Sequence, residues 1–400
     1  VVCLGPFLAG VPAKVKPALP FNENWKGSTT IPVARFVECF LNPGKTIDFN
    51  GRKVTYPEVK LVMWAGGNPF AQQEDTNALV KAWKKPDTTI VCDTVWTASA
   101  RMSDIVLPAC TSLERNDITS IGSYSNLGYV AMQQAIEPQY ESHSDFWIYS
   151  HLAEKLEHGK EFTEGLDEMG WLRRFYAQAK KESEASGLEM PSFEEFWKAG
   201  LAKVWHYRKD PIALEAFRKD PAAHPLKTPT GKIEIYSEQL AKETADWVIA
   251  EGDRINAIPK FWRTWDMPGD SLQKKYPLQC FGFHGHGRIH STFHNLPKLR
   301  SLHPDALYMN PVDAGKRGIQ DGDTVEIFND RGIVRLPVRV TPRIMPGVVT
   351  MPQGAWYDPQ MIDGRRVDVG GCINTLTAHR PSPYGKGNAQ HNILVDVRKA

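Results

Sequence analysis

LVMWAGGNP, at Leu61–Pro69, joins an apolar run directly to a Gly-Gly-Asn-Pro loop. Two more apolar runs follow along the chain: Thr89–Cys92 leads to the carboxylate of Asp93, and residues 104–107 lead to Pro108. Short apolar runs of this kind are typical of buried parallel strands, and open α/β sheets bind ligands beyond the carboxyl ends of such strands. The pattern predicts a parallel sheet with a nucleotide site at one edge.

The candidate ligands at that edge are backbone groups and one carboxylate. The glycines would let the backbone of Gly67 and Asn68 approach a phosphate closely, and Asp93 could hold a ribose hydroxyl or a guanine edge. Each residue also has a simpler interpretation, because glycine-rich turns often only end a strand and an aspartate often only caps the next helix. The three strand ends taken together favour the nucleotide site.

Composition limits the classes of partner. At 400 residues the chain is too long for one ordinary core, which favours two or three domains. Its net charge of +2 is too small for a nucleic-acid surface, and no apolar stretch approaches the roughly 20 residues that span a bilayer. We therefore expect no nucleic-acid partner and no direct membrane insertion. The opening residues, VVCLGP, contain no initiator Met, and we expect the carboxyl-terminal part of a longer protein.

The cysteines show no metal-binding spacing. None of them belongs to a C-x-x-C or C-x-x-H motif, which argues against a zinc or iron–sulfur site within this chain. We assign no metal ligand. The six cysteines are Cys3, Cys39, Cys92, Cys110, Cys280 and Cys372.

Helical patterns follow and separate the strand signals in the first part of the chain. A helix is predicted near Asp75–Lys84 between two of the apolar runs, which implies βαβ units. Further helices are predicted at Ser144–Leu156 and Asp167–Lys181, and Ser192–Glu195 forms a capping box that begins another. Residues 205–275 resemble an irregular connector, with one predicted strand at Lys232–Tyr236.

From Tyr276 onward the pattern becomes all-β. Pro277–Phe283 is a predicted strand, and Asn329–Gly332 is the turn of a hairpin that leads into Ile333–Val340. Later strands are predicted at Gly347–Met351 and Asn392–Val397. Several short strands separated by turns indicate a small closed barrel.

A dense histidine loop, HGHGRIHS, follows the first of these strands at 284–291. Its three histidines could bind a metal, or the loop could be an ordinary polar surface loop. Glycines and Arg288 favour a third interpretation, in which the loop contacts phosphate or pterin, because a guanidinium binds phosphate through two hydrogen bonds.

Two glycine-rich segments near the carboxyl end carry amide side chains. GGCINTL places Asn374 beside exposed backbone, and GNAQH does the same for Asn388 and Gln390. Amides offer both a donor and an acceptor to a heterocycle, although ordinary turns would explain each segment alone. No Ser-His-Asp set, Walker lysine or glycosidase acid pair is present. The chemistry is therefore expected to belong to a cofactor.

Motifs along nearly the whole chain resemble those of molybdopterin oxidoreductases of the dimethyl sulfoxide reductase family. They include WAGGNPF at 64–70, ASARMSDIVLPA at 98–109, TPTGKIEIYS at 228–237 and NPVDAGKRGIQDGDTVEIFNDRG at 310–332. GFHGHGRIHSTFHN and GGCINTLTAHRPSPYGKGN are most similar to the subgroup of catalytic A subunits from membrane-bound anaerobic enzymes.

The resemblance implies a fold class of α/β plus β-barrel. It implies a partial α/β domain for molybdopterin guanine dinucleotide at residues 1–150, a helical or irregular connector at 151–275, and a six-stranded double-psi-like barrel at 276–400. The implied cofactor is bis(molybdopterin guanine dinucleotide) molybdenum. The α/β domain would hold guanosine, and the barrel would lie across both pterins. The implied cofactor-binding residues are Gly67, Asn68, Asp75 and Asp93 in the first domain, and His284, Arg288, His290, Ser291, Asn374, Asn388 and Gln390 in the barrel.

The resemblance also implies a reaction and partners. A small sulfoxide or N-oxide would lose its oxygen, with electrons from quinol delivered through an iron–sulfur subunit beside a membrane anchor subunit. The enzyme would lie on the periplasmic face of the cytoplasmic membrane. The family's 4Fe-4S cluster motif and serine ligand to molybdenum are absent from this chain, so both are expected outside it, and the chain alone is expected to be inactive. Alternatives are reduction of trimethylamine N-oxide, biotin sulfoxide or selenate, or a non-catalytic pterin-binding scaffold.

Overall fold

A computed structural model describes residues 30–49, 52–121, 128–185, 187–203, 212–263, 265–388 and 392–400. The described residues form two compact units. The helical unit comprises Leu107–Ile235, and the barrel unit comprises residues 30–106 together with Tyr236–Ala400. These units group residues by packing and not by chain order, so the linear division at residues 150 and 275 stays a prediction.

The residues before 109 in the chain form a small α/β layer. Strands β3 and β4 are parallel, with Leu61 opposite Thr88 and Ala65 opposite Cys92, and β5 follows β4 in the sheet. The predicted parallel sheet is therefore confirmed. The elements are α1 Phe36–Leu41, the hairpin β1 Thr46–Phe49 and β2 Arg52–Thr55, β3 Leu61–Ala65, α2 Pro69–Gln72, α3 Thr76–Trp83, β4 Thr88–Asp93, α4 Ala98–Arg101 and β5 Ile105–Pro108.

The helical unit packs helices against a three-stranded antiparallel sheet. Its core stacks Tyr176 of α7 on Phe196 of α8, with 4.4 Å between ring centroids. The predicted capping box at Ser192 is present, but α8 ends earlier than expected because Gly200 adopts a left-handed conformation and β8 begins. The elements are β6 Asp117–Ser120, β7 Gly128–Met132, α5 Asp145–Lys155, α6 Gly159–Thr163, α7 Glu168–Ala185, α8 Phe193–Ala199, β8 Leu201–Lys203 and α9 Glu215–Lys219.

The carboxyl-terminal strands form the predicted barrel. Six strands pair in the order β10-β13-β9-β16-β11-β12, and a parallel pairing of β12 with β10 closes the ring. The hairpin β14–β15 extends from β12. The elements are α10 Glu238–Glu243, β9 Leu278–Phe283, α11 Pro297–Leu302, β10 Leu307–Met309, α12 Pro311–Gly315, β11 Thr324–Phe328, β12 Ile333–Val340, β13 Val348–Pro352, β14 Pro359–Ile362, β15 Arg365–Asp368 and β16 Ile393–Lys399.

A predicted strand and the search for membrane-spanning helices can also be compared with the structure. The strand predicted at Lys232–Tyr236 is wrong, because the side chains of Ile233 and Ile235 are 67% and 75% exposed and no strand forms there. An alternating apolar pattern needs a surface to cover it, and the described residues provide none. Among the described helices, none combines the length and apolar character needed to cross a membrane.

The α/β layer packs directly on the barrel within the barrel unit. Tyr357, which follows the barrel strand β13, stacks on Phe70 of α2 with 6.2 Å between ring centroids. A hydrogen bond also joins the two parts, because the side-chain Nδ2 of Asn77 in α3 donates to the backbone carbonyl of Arg331 at 2.9 Å. The parallel sheet of the α/β layer and the barrel therefore belong to one continuous structure.

One buried carboxylate on the barrel wall should dominate its acid stability. Glu326 is 2% exposed, and Arg335, Arg365 and Arg398 bond its two oxygens. Burial alone would raise the pKa of Glu326, but the three guanidinium groups outweigh burial and lower that pKa to about 2. Because a lowered carboxyl pKa favours the folded state only while the group is ionised, this contribution is complete above about pH 4.5 and is lost as the pH falls toward 2.

Glu326→Gln is therefore expected to lower the free energy of unfolding at pH 7 by about 2 kcal/mol, since three arginines lose their counter-charge. Thermal unfolding between pH 2 and pH 7 measures the effect, and the difference from wild type should shrink at the acid end. Glu58→Gln, at an exposed position, is the control. A constant difference across that pH range would contradict the assignment.

Candidate functional site

The loop after β3 is shaped by two left-handed glycines. Gly66 and Gly67 have φ values of 69° and 78°, which only glycine adopts readily, and the turn that they form leads into Asn68. Asn68 is buried, and its Oδ1 accepts a hydrogen bond from Ser99 Oγ at 2.6 Å. Its Nδ2 has no hydrogen-bond partner among the described residues. The loop therefore holds a buried amide donor whose hydrogen bond is unfilled among the described residues.

Asp93 lies at the same edge of the sheet, as the strand register requires. The Asp93 carboxylate accepts bonds from Thr97 Oγ1 at 2.7 Å and from the Thr94 amide at 2.8 Å. Burial raises the pKa of Asp93. Ser99, which bonds Asn68, belongs to α4, the helix that follows the turn at Asp93. This hydrogen bond therefore connects the loop after β3 with the loop after β4.

Asp75 is a helix cap in this structure. Its side chain accepts from the Ala78 amide at 2.9 Å, which begins α3, and its own amide donates to Thr377 Oγ1 at 3.2 Å. Asp75 has a φ of 47°, an uncommon value for a residue other than glycine. The cap and the bond to Thr377 give Asp75 a structural role, and its contact with guanosine stays a prediction.

The histidine loop curves over the end of β13. The Ser291 carbonyl accepts from Trp356 Nε1 at 2.8 Å, and the rings of His284 and His290 lie 5.2 Å apart. Gly354 has a φ of 85°, and a Cβ atom there would lie 1.9 Å from the His290 carbonyl oxygen. Only glycine permits this approach. Among the described residues, no set of three His, Cys, Asp or Glu side chains could hold a metal ion.

Arg288 is engaged within the protein. Its Nη2 and Nη1 bond the two carboxylate oxygens of Asp305 at 2.7 and 2.9 Å, and its Nε donates to the Gln353 carbonyl at 2.8 Å. The guanidinium therefore has carboxylate and carbonyl partners already, where the sequence suggested a phosphate. A contact between Arg288 and a cofactor phosphate stays a prediction without a free donor fork to support it.

The loop after β15 is organised by the buried carboxylate of Asp368. One oxygen accepts from the amides of Asp358 and Gly370, and the other accepts from the Cys372 amide and from Thr375 Oγ1. Burial raises the pKa of Asp368 to about 6, while the four donors favour the carboxylate. Sequence reasoning missed this role, because the Asp358 amide lies before β14, the other three donors lie in the loop after β15, and the path of neither segment could be predicted.

That loop presents Asn374, which joins the barrel to the α/β layer. Asn374 is buried, and its Nδ2 donates to the Ala71 carbonyl at 3.1 Å. Cys372 donates its thiol proton to the Phe70 carbonyl at 3.5 Å. Asn388 lies further along the chain, and Gln390 falls outside the described residues.

A cavity of about 380 Å³ lies between the α/β layer and the barrel inside the barrel unit. It brings together four of the predicted residues: His290, Ser291, Asn374 and Asn388. The six other predicted residues that the structure describes do not line it: Gly67, Asn68, Asp75, Asp93, His284 and Arg288. The wall also includes Val33, Trp64, Ala71, Gln72, Gln73, Gly282, Gln353, Gly354 and Ile373.

Three glutamines in this wall were missed by sequence reasoning. Gln72 accepts from the Asn68 amide at 3.2 Å, four residues away, so the spacing after the Asn-Pro pair could have indicated it. A Cβ atom on Gly67 would lie 3.3 Å from Gln72 Oε1, so Gly67 and Asn68 adjoin a residue of the wall without lining the cavity themselves. Gln73 and Gln353 carried no comparable signal.

The cavity suits an organic group with several hydrogen-bonding edges. Its wall is rich in amides, and Gln73 Oε1 is buried with no hydrogen-bond partner among the described residues. Buried amides without partners are costly, and a heterocycle that alternates donors and acceptors would satisfy them. The residues present therefore fit a pterin-type cofactor.

Relatives with known names match most of this chain. It is 43% identical to a dimethyl sulfoxide/trimethylamine N-oxide reductase of Cereibacter sphaeroides over 99% of its length, and that match covers 48% of the relative. It is also 43% identical to the dimethyl sulfoxide reductase DmsA of Escherichia coli, over 85% of the chain and 42% of that protein. A trimethylamine-N-oxide reductase of Salmonella typhi is 36% identical over 96% of the chain. The chain spans about half the length of these relatives.

A solved structure supports the fold. Acetylene hydratase from Pelobacter acetylenicus superposes with a TM-score of 0.62 over 86% of this chain and 45% of its own. The sequence identity is 20%, so the likeness concerns the fold alone.

The Asp368 loop provides a test of how the cavity is held. Asp368→Asn is expected to lower the free energy of unfolding by about 2 kcal/mol. The NH2 group of the new side chain would face a backbone N–H that donates to a carboxylate oxygen in the wild type, so that N–H would lose its acceptor. Hydrogen exchange should also become faster at residues 368–377. The control is Asp358→Asn, whose side chain is 48% exposed. Equal behaviour of the two variants would contradict the role given to Asp368.

Two family models match separate parts of the chain. Molybdopterin oxidoreductase matches residues 26–155, and the molydopterin dinucleotide binding domain matches residues 278–394. The first range contains the Gly67–Asn68 loop and Asp93, and the second contains the histidine loop and Asn374. Together with the identity to named reductases, these matches show that the chain belongs to the molybdopterin oxidoreductase family.

Proposed function

We propose that this chain is the cofactor-binding part of a molybdenum S- or N-oxide reductase. The observation that carries the proposal is the shared cavity, in which amides of the α/β layer and of the barrel line one space. A pterin dinucleotide is long enough to need both parts, because its heterocycle and its nucleotide lie at opposite ends. Family membership supplies the expectation of molybdenum.

The proposed cofactor is bis(molybdopterin guanine dinucleotide). His290, Ser291, Asn374, Asn388 and Gln73 would hold pterin edges through hydrogen bonds from the cavity wall. Bound molybdenum would supply two-electron chemistry, and the protein would contribute orientation and exclusion of water.

The nucleotide end would lie at the strand ends of the α/β layer. Gly67 and Asn68 offer backbone approach and a free amide, and Asp93 offers a carboxylate at the same sheet edge. Guanine presents N–H donors on the edge that a carboxylate would bind, which supports the guanine form of the dinucleotide.

The proposed substrate is a small sulfoxide such as dimethyl sulfoxide. Removal of its oxygen consumes two electrons and two protons and yields dimethyl sulfide and water. Trimethylamine N-oxide is the second candidate, because several relatives with this name in their description are 36–43% identical.

Partners and location are proposed on the resemblance alone. An iron–sulfur subunit would deliver electrons from quinol, a membrane anchor subunit would hold the complex, and a 4Fe-4S cluster would lie in sequence other than this chain. The complex would lie on the periplasmic face of the cytoplasmic membrane. Co-purification of the native complex, with identification of its subunits, tests this arrangement.

The cofactor proposal is tested by chemical composition. Protein produced anaerobically with molybdate is expected to contain molybdenum and to release a guanine nucleotide on acid hydrolysis. Metal analysis and chromatography of the hydrolysate measure both. Protein with neither component would contradict the proposal.

Turnover is then assayed on the intact complex with a reduced viologen dye as electron donor. Oxidation of the dye with dimethyl sulfoxide supports a sulfoxide reductase, whereas preference for trimethylamine N-oxide, biotin sulfoxide or selenate would reassign the substrate. A complex that holds the cofactor but reduces none of these would be a binding scaffold.

Asp93→Ala should weaken retention of the guanine dinucleotide by roughly 1–3 kcal/mol, the effect of leaving buried polar groups unpaired. The matched control is Asp87→Ala, at an exposed position just before β4. The measurement is guanine nucleotide content per protein after dialysis. Equal content in the two variants would remove Asp93 from the site.

A further inference from the structure

A buried ion pair joins Arg288 of the histidine loop to Asp305, and neither residue lines the cavity. The side chains of Arg288 and Asp305 are 7% and 10% exposed, and two hydrogen bonds of 2.7 and 2.9 Å join them. His294 Nδ1 lies 3.1 Å from Arg288 Nη1. Burial, with the nearby Arg288 charge, lowers the pKa of His294 to about 4, so this ring is neutral near pH 7 and accepts the bond.

A further donor of Arg288, its Nε, reaches the cavity wall. Its Nε donates to the Gln353 carbonyl at 2.8 Å. The side chain of the same residue, Gln353, places its Nε2 3.2 Å from Nδ1 of His290. An unbroken set of bonds therefore leads from Asp305 through Arg288 and Gln353 to His290, a residue that lines the cavity.

This arrangement favours one nitrogen of His290 as the protonated one. An amide NH2 is a donor, so the Nδ1 atom that faces it must offer a lone pair. In a neutral imidazole the proton then lies on Nε2. His290 would present an N–H donor to whatever occupies the cavity.

The backbone around His290 is equally constrained. His290 has a φ of 50°, a conformation that persists only when surrounding structure enforces it. The close approach of Gly354 to the His290 carbonyl, together with the bond from Arg288 to Gln353, provides that enforcement.

We propose that Asp305, acting through Arg288 and Gln353, is a positioning residue that holds His290 as its Nε2–H tautomer at the cofactor cavity. The identity of the group that His290 meets rests on the proposed function. The tautomer itself does not, because every bond that selects it lies within the chain.

The simpler alternative is that the pair only braces the fold. A buried ion pair is weak support for stability, because removing two charges from water offsets most of their attraction. Arg317 and Asp396 form a second arginine–aspartate pair, at 2.8 Å, on the same barrel and with no bond to the cavity wall. Asp396→Asn is therefore the matched control for Asp305→Asn.

The first measurement is the protonation of the His290 ring in the purified protein. Nitrogen-15 spectra of histidine side chains separate protonated from bare ring nitrogens, and His290→Gln identifies the signal. The wild type and Asp396→Asn are expected to show a single Nε2–H form. Asp305→Asn and Gln353→Leu are expected to show a mixture of tautomers.

The second measurement is cofactor retention. Asp305→Asn should release molybdenum on the order of tenfold faster than the wild type, the effect of losing one charge-assisted bond, while Asp396→Asn keeps the wild-type rate. Unaltered His290 signals in a folded Asp305→Asn variant, or in Gln353→Leu, would overturn the proposal. If Asp305→Asn does not fold, Gln353→Leu decides the outcome, because it leaves the ion pair intact. If the wild-type protein contained no molybdenum, the proposed function would be wrong. The histidine ring spectra would still test this inference, because they do not depend on the cofactor.

Discussion

The internal interface between the α/β layer and the barrel is the constraint on which the candidate site depends. Its central part is a set of hydrogen bonds between residues 372–377 of the barrel loop and residues 70–75 of the layer. Asn374 donates to the Ala71 carbonyl, Cys372 donates to the Phe70 carbonyl, and the Asp75 amide donates to Thr377. These bonds use backbone groups at the ends of α2 and α3, where a short helix leaves carbonyls and amides without helical partners. The geometry of the cavity therefore follows from how two helix ends are satisfied.

Local signals in the sequence were sufficient for most of the secondary structure. The apolar runs at 61–66 and 89–93 became β3 and β4, and the predicted helix after Asp75 became α3 with that residue as its cap. Each of these elements is determined by neighbours within a few residues, which is the range over which patterning and capping act. Lys232–Tyr236 failed for the same reason: alternation is local, but a strand needs a partner elsewhere in the chain.

The candidate site was only partly predictable, because its bonds join residues far apart in the chain. Glycine and asparagine positions in loops indicated His290, Ser291, Asn374 and Asn388, which the structure places in one cavity wall; their contact with a cofactor stays a prediction. The partner of Arg288 could not be inferred, since Asp305 lies 17 residues away and beyond an intervening helix. Gln353 and Asp368 were missed for a related reason. Their importance comes from the donors that surround them, and those donors are set by loop paths and not by residue type.

The distribution of charge and of unpaired polar atoms limits what the cavity can bind. Buried charges near it are compensated inside the protein: Asp305 is paired with Arg288, and Asp368 accepts four hydrogen bonds. Two buried atoms close to the cavity that lack partners among the described residues, Asn68 Nδ2 and Gln73 Oε1, belong to neutral amides. A strongly charged ligand group would find no buried counter-charge in the wall, whereas a heterocycle would find neutral amides, among them the unpaired acceptor Gln73 Oε1. Any phosphates of a bound dinucleotide should consequently lie toward the exposed Gly66–Gly67 backbone, and the uncharged ring system should lie against the amides.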